Sequence, residues 1–394
     1  MKPVASGLKV AFYNILVLAL LMEGVGFAAS VTGWRGVNHY TTYYLALINR
    51  FRAEPLLRRG QWYTEFEDWG TWHRPNAVTR DVSTCFSAIY RANAYGARDD
   101  DRPQQSGVGR TVVLGDSFIE GWGVQAAERL TNQLETKLER PMLNFGAAYH
   151  VGPLQYEILY QQLASEFDHD QVIVALLPAN DFTDNDPRYW RQERQRAFQS
   201  RYRPYYGEDG ARRYKVDKPK DSHPIEGSEI AAQSLDQFLY NNTWSYSLLR
   251  RLGALQRRDH DITRAYSGYV DPEPRQIRPV LASLQRIQTL ARANGATVTL
   301  VLIPAVDDFM RQESGEALTI QPVFRRFAAQ QGLPLIDLIE EMPKVDPDYR
   351  RYYHRCDRHW SAYGNQVAAA AIAKVLATGA TAELHTAKEV MKPE

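Results

Sequence analysis

The sequence predicts a three-layer α/β/α domain built around a mainly parallel sheet. Short apolar runs, such as 111–114 and 171–177, are typical of strands that are buried on both faces. Segments with apolar residues at helical spacing lie between such runs, for example 128–139. The alternation of the two patterns indicates parallel strands joined by crossover helices. We expect this domain to cover residues 106–375.

Composition narrows the classes of partner. The 394 residues carry a formal net charge of +1, so no overall field favours nucleic acid, and we expect no nucleic-acid partner. The two cysteines are too few for a disulfide framework or a cysteine-based zinc site, and we expect no metal or other cofactor. The 23 tyrosines and 8 tryptophans suit sugar rings, although such residues also fill ordinary cores.

Residues 1–30 have the character of a targeting segment. Lys2 and Lys9 precede an apolar run at 10–22, and Glu23 separates this run from a second apolar stretch. The whole segment is long enough for an uncleaved signal anchor, while small residues at its end also fit a cleaved signal peptide. An anchor would hold the rest of the chain outside the cytoplasm on the membrane, in the periplasm of a Gram-negative cell. A cleaved peptide would release a secreted protein, and a buried helix of a cytosolic protein is the third alternative.

The remaining parts of the chain flank or interrupt the main domain. Residues 31–105 form an accessory segment, in which 40–51 fits either a helix or a strand and 79–90 predicts a strand. Residues 186–272 break the α/β rhythm and predict an insertion over the edge of the sheet. Its arginines and aromatic residues could grip an anionic sugar chain or simply form a solvated face. Residues 376–394 are a polar tail.

A serine follows the first predicted strand of the sheet. Gly115 allows a sharp turn, and Asp116 and Ser117 come next at a predicted helix N-terminus. A serine there presents its hydroxyl at the end of a strand, as an acyl-transfer nucleophile requires. The stretch from Gly115 to Phe118 resembles the first sequence block of the SGNH (GDSL-type) esterase and acyltransferase superfamily. The alternative is a plain helix start capped by Asp116 or Ser117.

Two later segments resemble the superfamily's second and third blocks. The stretch Asn-Phe-Gly ending at Gly146 is similar to the second block, whose backbone N–H helps to bind the oxyanion. A further family glycine is replaced here, so the donor is Gly146 or lies near 148–149. Asn180 follows the strand at 171–177 and resembles the third block, in which a carboxamide donates to the oxyanion. The resemblance therefore implies an oxyanion hole formed by Ser117, Gly146 and Asn180, while an Asx turn is the alternative for Asn180.

The final block of the superfamily pairs an aspartate with a histidine. Asp357 and His359 match it with a spacing of two residues, which also occurs in alginate acetyltransferase-like members. In an extended chain this spacing places both side chains on one side. Asp357 can then hold one imidazole nitrogen while the other faces Ser117. His354 is the nearest rival, but it has no such acidic partner behind it.

The resemblance also suggests residues that line the cleft. The pattern Asn93-x-x-Gly96-x-Arg98 is similar to a segment that membrane-anchored bacterial members carry before the serine block. It implies that Asn93 and Arg98 border the cleft, and Asp116 and Tyr149 are further candidates. A plain turn with Gly96 at positive φ is the alternative.

The resemblance implies a flavodoxin-like SGNH fold and a serine esterase with a triad of Ser117, His359 and Asp357. The expected substrate is an acylated small molecule or polysaccharide, foremost an O-acetyl ester of cell-surface carbohydrate. A polysaccharide O-acyltransferase with the same triad is one alternative. A non-catalytic, membrane-tethered polysaccharide-binding module is the rival from another class.

The two cysteines form a last candidate pair. Export would place Cys85 and Cys356 in an oxidising compartment, where two thiols tend to pair. If the segment around Asn93 borders the cleft, Cys85 lies near Cys356, which directly precedes Asp357. A disulfide would then pin the loop that carries Asp357 to the accessory segment. Two unrelated buried thiols are the alternative.

Overall fold

The structure is a computed structural model that describes most of the chain. The described residues are 2–34, 39–66, 70–83, 85–148, 151–184, 186, 204–206, 212–214, 235–258 and 274–377. Tyr149, most of the arginine- and aromatic-rich start of the insertion, and the tail beyond residue 377 lie outside them.

Helices and strands alternate from residue 111 onward. The helices are α1 (Lys2–Thr32), α2 (Thr42–Asn49), α3 (Arg59–Trp62), α4 (Ser117–Glu120), α5 (Leu130–Leu138), α6 (Pro153–Gln162), α7 (Pro178–Asp184), α8 (Leu235–Asn242), α9 (Trp244–Arg258), α10 (Pro274–Ala293), α11 (Val306–Glu313), α12 (Ile320–Gln331), α13 (Leu338–Glu341) and α14 (Ala362–Ala377). The strands are β1 (Leu56–Leu57), β2 (Tyr63–Phe66), β3 (Gly70–His73), β4 (Val78–Val82), β5 (Ser87–Arg91), β6 (Thr111–Gly115), β7 (Met142–Gly146), β8 (Gln171–Leu176), β9 (Pro204–Tyr206), β10 (Arg212–Tyr214), β11 (Thr297–Leu302) and β12 (Leu335–Asp337).

Five parallel strands form the central sheet, in the order β12-β11-β8-β6-β7. If these five strands are numbered 1 to 5 along the chain and read from the β7 edge, the order is 2-1-3-4-5, which is that of a flavodoxin-like fold. In such a sheet the connections diverge between the first and third strands, here β6 and β8. Ligands bind in the crevice that opens there, outside the carboxyl ends of the strands. The predicted α/β fold class is confirmed.

Helices cover both faces of this sheet. Helix α5 packs against α14, and α6 packs against α10. The strands between them are almost wholly buried, and Leu114, Val174 and Val301 are fully excluded from solvent. Burial on both faces explains why these strands have continuous apolar sequences rather than alternating ones.

The accessory segment forms smaller β structures beside the main sheet. Strands β1, β4 and β5 make one sheet, and β2 pairs with β3 in an antiparallel hairpin. The single strand predicted for 79–90 is wrong, because Ser83 N–H donates to the Phe86 carbonyl at 2.9 Å and folds the run into β4 and β5. The ambiguous stretch at 40–51 is helical as α2, and its Thr41 cap accepts the Tyr44 N–H at 3.3 Å.

Helix α1 is the element that could enter a membrane. Among the described residues it is the helix that is long and apolar enough to cross a bilayer, over the 24 residues from Lys9 to Thr32. Its C-terminal half packs against α9 of the insertion. Ala29 of α1 and Leu248 of α9 are both buried in this contact.

Candidate active site

Ser117 lies at the carboxyl edge of the central sheet. It is the first residue of α4, a single turn of 4 residues that follows β6. The Asp116 carboxylate caps this turn by accepting the Phe118 N–H at 3.0 Å. Because Ser117 begins the helix, its own N–H has no acceptor within the helix and can serve an outside ligand.

The structure brings Ser117, His359 and Asp357 into one hydrogen-bonded chain. His359 Nε2 lies 2.8 Å from Ser117 Oγ. On the other side of the ring, His359 Nδ1 bonds to Asp357 Oδ1, which also accepts the His359 backbone N–H at 3.0 Å. This arrangement favours the tautomer in which Nδ1 carries the proton and Nε2 accepts from the serine.

The charges at this site reinforce one another. Burial opposes protonation of His359, but the Asp357 carboxylate outweighs it and raises the histidine's pKa above its ordinary value. Burial alone would raise the pKa of Asp357, yet its contacts with His359 lower it well below its usual range. Asp357 is therefore ionised across the neutral range and favours an imidazolium at His359.

Trp122 supports both Asp357 and His359, and the sequence analysis did not select it. Its indole N–H donates to Asp357 Oδ2 at 3.1 Å. Its ring also stacks on the His359 ring, with 5.4 Å between the centroids. Trp122 thus fixes both members of the pair, and the only signal in the sequence was its position just after the serine block.

The backbone of 146–148 does not offer the oxyanion donor that was predicted. Gly146 N–H donates to Asn144 Oδ1 at 2.9 Å, and Ala147 N–H donates to the Gly115 carbonyl at 3.1 Å. Ala148 N–H bonds to the Glu120 carboxylate. The prediction for Gly146 is therefore wrong in this structure. The alternative near Tyr149 falls outside the described residues.

Glycine is required at position 146 for packing rather than for binding an oxyanion. A Cβ at this position would lie 2.5 Å from the carbonyl carbon of Ile119. Such a distance is shorter than any normal contact, so only glycine lets the turn after Ser117 approach β7 this closely.

Asn180 lies in α7, directly beyond β8, across the crevice from Ser117. Its side-chain Nδ2 is 3.4 Å from Asp116 Oδ2. Asp116 is only 2% exposed, so it caps α4 and contacts Asn180 rather than lining the cleft. Burial raises the pKa of Asp116 to about 6, and the nearby Asp184 adds to this rise.

Asn93 is a turn residue, and its predicted place on the cleft is wrong. Its side-chain oxygen accepts the N–H groups of Tyr95 and Ala97, both at 3.0 Å. Its Nδ2 donates to the Asp100 carbonyl at 3.1 Å. Gly96 has φ of 81°, as the turn alternative required.

Arg98 does not line the cleft either, because its side chain is buried beneath the α4 turn. The guanidinium donates to the carbonyls of Glu120 at 2.9 Å and Val124 at 2.6 Å, and also to Gly121. It lies 3.5 Å from the centroid of the Tyr90 ring. Arg98 therefore fixes the backbone that leaves α4.

Glu120 is the largest omission of the sequence-based prediction. It is fully buried three residues after Ser117 and accepts the Trp62 indole N–H at 3.1 Å and the Ala148 N–H. His73 Nε2 lies 3.4 Å from it. Burial opposes ionisation, but His73 and then Arg98 outweigh it and lower the pKa of Glu120. A buried carboxylate thus joins the accessory segment, the α4 turn and the loop after β7.

The two cysteines form a disulfide. Cys85 and Cys356 are bonded, with their Cα atoms 5.8 Å apart. The bond joins the turn between β4 and β5 to the loop that carries Asp357 and His359. The alternative of two unrelated thiols therefore does not hold.

Within the described ranges, no group of three or more His, Cys, Asp or Glu side chains is placed to hold a metal ion. The residues that the structure gathers at the crevice are a serine, a histidine, carboxylates and a carboxamide. Such a set suits nucleophilic and acid–base chemistry.

The fold defines an α/β protein whose candidate site opens at the crevice of a flavodoxin-like sheet. Residues 266–393 match a family model described as "SGNH hydrolase-like domain, acetyltransferase AlgX". The match includes Asp357 and His359, whereas Ser117 lies outside it. No curated protein is significantly similar to it.

Solved structures of low sequence identity also align with the chain. A member of the lipolytic protein G-D-S-L family from Veillonella parvula aligns at 12% identity and a TM-score of 0.37, covering 68% of this chain and 99% of its own. A lipase/acylhydrolase from Enterococcus faecalis aligns at 16% identity and a TM-score of 0.34, covering 68% of this chain and 96% of its own.

Proposed function

We propose that the protein is an SGNH-type serine esterase that acts on acyl esters, foremost O-acetyl esters of carbohydrate. The observation that carries this proposal is the hydrogen-bonded chain from Asp357 through His359 to Ser117 Oγ. Its position at the carboxyl edge of the sheet, between β6 and β8, adds support because ligands bind at that edge in this kind of fold.

The proposed reaction proceeds through an acyl-enzyme. His359 Nε2 takes the proton of Ser117 as Oγ attacks the ester carbonyl carbon, and Asp357 stabilises the imidazolium. The oxyanion is held by the Ser117 N–H and the Asn180 carboxamide. The intermediate then collapses, and His359 returns the proton to the departing alcohol. In the second half, His359 deprotonates water or another hydroxyl, whose oxygen attacks the acyl carbonyl carbon; the bond to Ser117 Oγ then breaks, and the imidazolium returns the proton to Oγ.

Fluorophosphonate labelling and p-nitrophenyl acetate turnover test this proposal together. The native protein should be labelled and active, while Ser117→Ala should lose both properties and keep its circular dichroism spectrum. Labelling and turnover that persist in Ser117→Ala would overturn the assignment of the nucleophile. A folded native protein that neither labels nor turns over substrate would support the non-catalytic polysaccharide-binding module instead.

A second candidate is transfer of an O-acetyl group to a carbohydrate acceptor. The matched family model is described as an acetyltransferase, which favours this reading. Transfer needs the acyl-enzyme to survive until a hydroxyl other than water arrives. Turnover of p-nitrophenyl acetate should be measured with and without a polysaccharide acceptor. A transferase should form acetylated polysaccharide, and the acceptor should accelerate its turnover. A hydrolase should form free acetate at a rate that the acceptor does not change.

We further propose that α1 stays attached as a membrane anchor, with the catalytic domain outside the cytoplasm. The Glu23 carboxylate accepts the N–H groups of Trp244 at 2.9 Å and Ser245 at 3.3 Å, and so caps α9. A Cβ at Gly26 would lie 2.5 Å from the Trp244 carbonyl carbon, so the two helices touch backbone to backbone. Cleavage near residues 28–30 would remove both features.

The mass of the protein recovered from membranes tests this retention. We expect the intact N-terminus and the membrane fraction. Recovery of a soluble chain that begins after residue 28 would contradict the proposal. External protease added to spheroplasts should digest the catalytic domain, whereas a protected domain would place it in the cytoplasm.

A further inference from the structure

Exposed large apolar side chains are unevenly distributed over the described part of the chain. Outside α1, six of them lie on or beside α2, α8 and α9, one directly follows α1, and three lie elsewhere. The six are Tyr43, Leu47, Phe51, Leu235, Phe238 and Leu249, the one after α1 is Trp34, and the three are Val108, Met310 and Val345. Such a concentration on one region of a protein marks a surface that contacts something apolar.

These elements meet α1 at a cluster of aromatic rings. The ring of Phe27 in α1 lies 5.5 Å from Tyr44 of α2 and 5.0 Å from Trp244 of α9, and the last two are 5.7 Å apart. The apolar stretch from Lys9 to Thr32 has 24 residues, which exceeds the ~20 residues that cross a hydrocarbon core. Phe27 therefore lies near the end of the span. Tyrosine and tryptophan are enriched at that depth.

Hydrogen bonds fix α2 and α8 to one another beside this cluster. Thr42 Oγ1 donates to the Asn241 carbonyl at 3.3 Å, and the Arg58 guanidinium donates to the same carbonyl at 2.8 Å. The rings of His39 and Tyr240 pack with 4.6 Å between their centroids. The position of both helices relative to α1 is therefore set by the fold.

Helix α2 and the residues just after it have two distinct sides. Tyr43, Leu47 and Phe51 are exposed at spacings of four, which places them on one face, and Leu45 is buried on the other. Arg50 beside this stripe is also exposed. Exposed apolar side chains bordered by arginine are the pattern of a helix that lies in a membrane interface.

Helix α9 starts beside Glu23 of α1, runs along the end of α1, and also exposes a leucine next to an arginine. Leu248 is buried against Ala29 of α1, while the neighbouring Leu249 and Arg250 are exposed. The exposed leucine is thus next to an arginine on a helix that is tied to the span through Glu23.

We propose that α2, α8 and α9 form a collar that rests on the bilayer surface where α1 leaves the membrane. The apolar side chains of the collar enter the headgroup region, and its arginines face lipid phosphates. The bilayer is the occupant that fits, because the surface is continuous with the span and its border is basic. The proposal rests on the proposed retention of α1 as a membrane anchor and does not depend on the acyl chemistry.

Fluorescence quenching of the full chain in lipid nanodiscs tests the collar. The two native cysteines are bonded to each other, so a third cysteine can be labelled with nitrobenzoxadiazole. Leu47→Cys and Leu249→Cys report on the collar, while Val108→Cys and Met310→Cys are matched exposed apolar controls. The nanodiscs consist of phosphatidylethanolamine and phosphatidylglycerol and include a nitroxide lipid, which quenches labels that lie in the bilayer. Iodide in the buffer quenches labels that are exposed to water.

We expect the collar labels to be quenched at least ~3-fold more by the nitroxide lipid than the control labels, and correspondingly less by iodide. Equal quenching at Leu47→Cys, Leu249→Cys and Val108→Cys would overturn the proposal. Shielding that appears only when two copies share one nanodisc would also overturn it, because the surface would then be a contact between copies. If Leu47→Cys does not fold, Phe51→Cys replaces it, since that side chain lies outside the helix and is 83% exposed.

Discussion

Removing the Cys85–Cys356 disulfide should weaken the fold far more than it slows catalysis. The bond closes a sequence separation of 271 residues. Chain-entropy arguments give such a link up to ~5 kcal/mol, and measured losses of native disulfides are about 2–5 kcal/mol. We therefore expect Cys85→Ser/Cys356→Ser to lower the free energy of unfolding by about 3–5 kcal/mol.

The loop that carries Asp357 and His359 has supports of its own, so its geometry should largely survive this change. Tyr353 and Trp360 form an antiparallel bridge across it, and His354 N–H donates to the His359 carbonyl at 2.9 Å. The bond from Trp122 to Asp357 is independent of sulfur. Because these supports remain, we expect kcat to fall by less than ~10-fold at 25 °C, which corresponds to less than about 1.4 kcal/mol of lost transition-state stabilisation.

Urea unfolding followed by circular dichroism, and p-nitrophenyl acetate turnover, measure the two effects. Native protein in dithiothreitol should match the double variant, and the double variant should not respond to dithiothreitol. A loss of stability below ~1 kcal/mol would refute the loop-closure argument. A folded variant that has lost kcat by more than ~100-fold would show that the disulfide itself positions the base.

Three further predictions concern the candidate site. Trp122→Phe keeps an aromatic ring but removes a hydrogen bond to a carboxylate, which is worth ~1.5–3 kcal/mol, so kcat should fall ~10–100-fold at constant KM. An unchanged kcat would show that Trp122 does not position Asp357 and His359. Asn180→Ala should lower kcat ~100-fold or more with little change in KM, and an unaffected kcat would leave Asn180 as a turn residue. Protonated His359 cannot act as the proposed base, so kcat/KM should rise as the pH rises. Since Asp357 raises the pKa of His359, the midpoint of that rise should lie above 6.5. Asp357→Asn should move that midpoint downward and lower the plateau, and an unmoved midpoint would contradict the coupling.

The sequence was sufficient to place the residues that follow strands. Ser117 comes after β6 and Asn180 after β8, and neighbouring parallel strands bring their carboxyl ends to one edge. Order along the chain therefore predicted proximity in space. The pairing of Asp357 with His359 was also predictable, because a separation of two residues constrains both side chains locally.

The errors have a common physical origin. Gly146 is needed for the close approach of Ile119, and Asn93 folds a turn, but a sequence does not distinguish these needs from binding a ligand. Glu120 and Trp122 were overlooked because their partners lie far away in the chain. Glu120 pairs with residues of the accessory segment, and Trp122 with a loop near the C-terminus, so no local periodicity marks either one.

The order of the chain also bears on when the proposed triad can assemble. Asp357 and His359 follow every strand of the central sheet in sequence, and only the helix α14 comes after them in the described residues. While the polypeptide is being synthesised, Ser117 can therefore reach its turn before either of its partners exists. Under the proposed mechanism, a chain interrupted before residue 357 would carry Ser117 without a base, and we expect such a chain to be inactive toward esters.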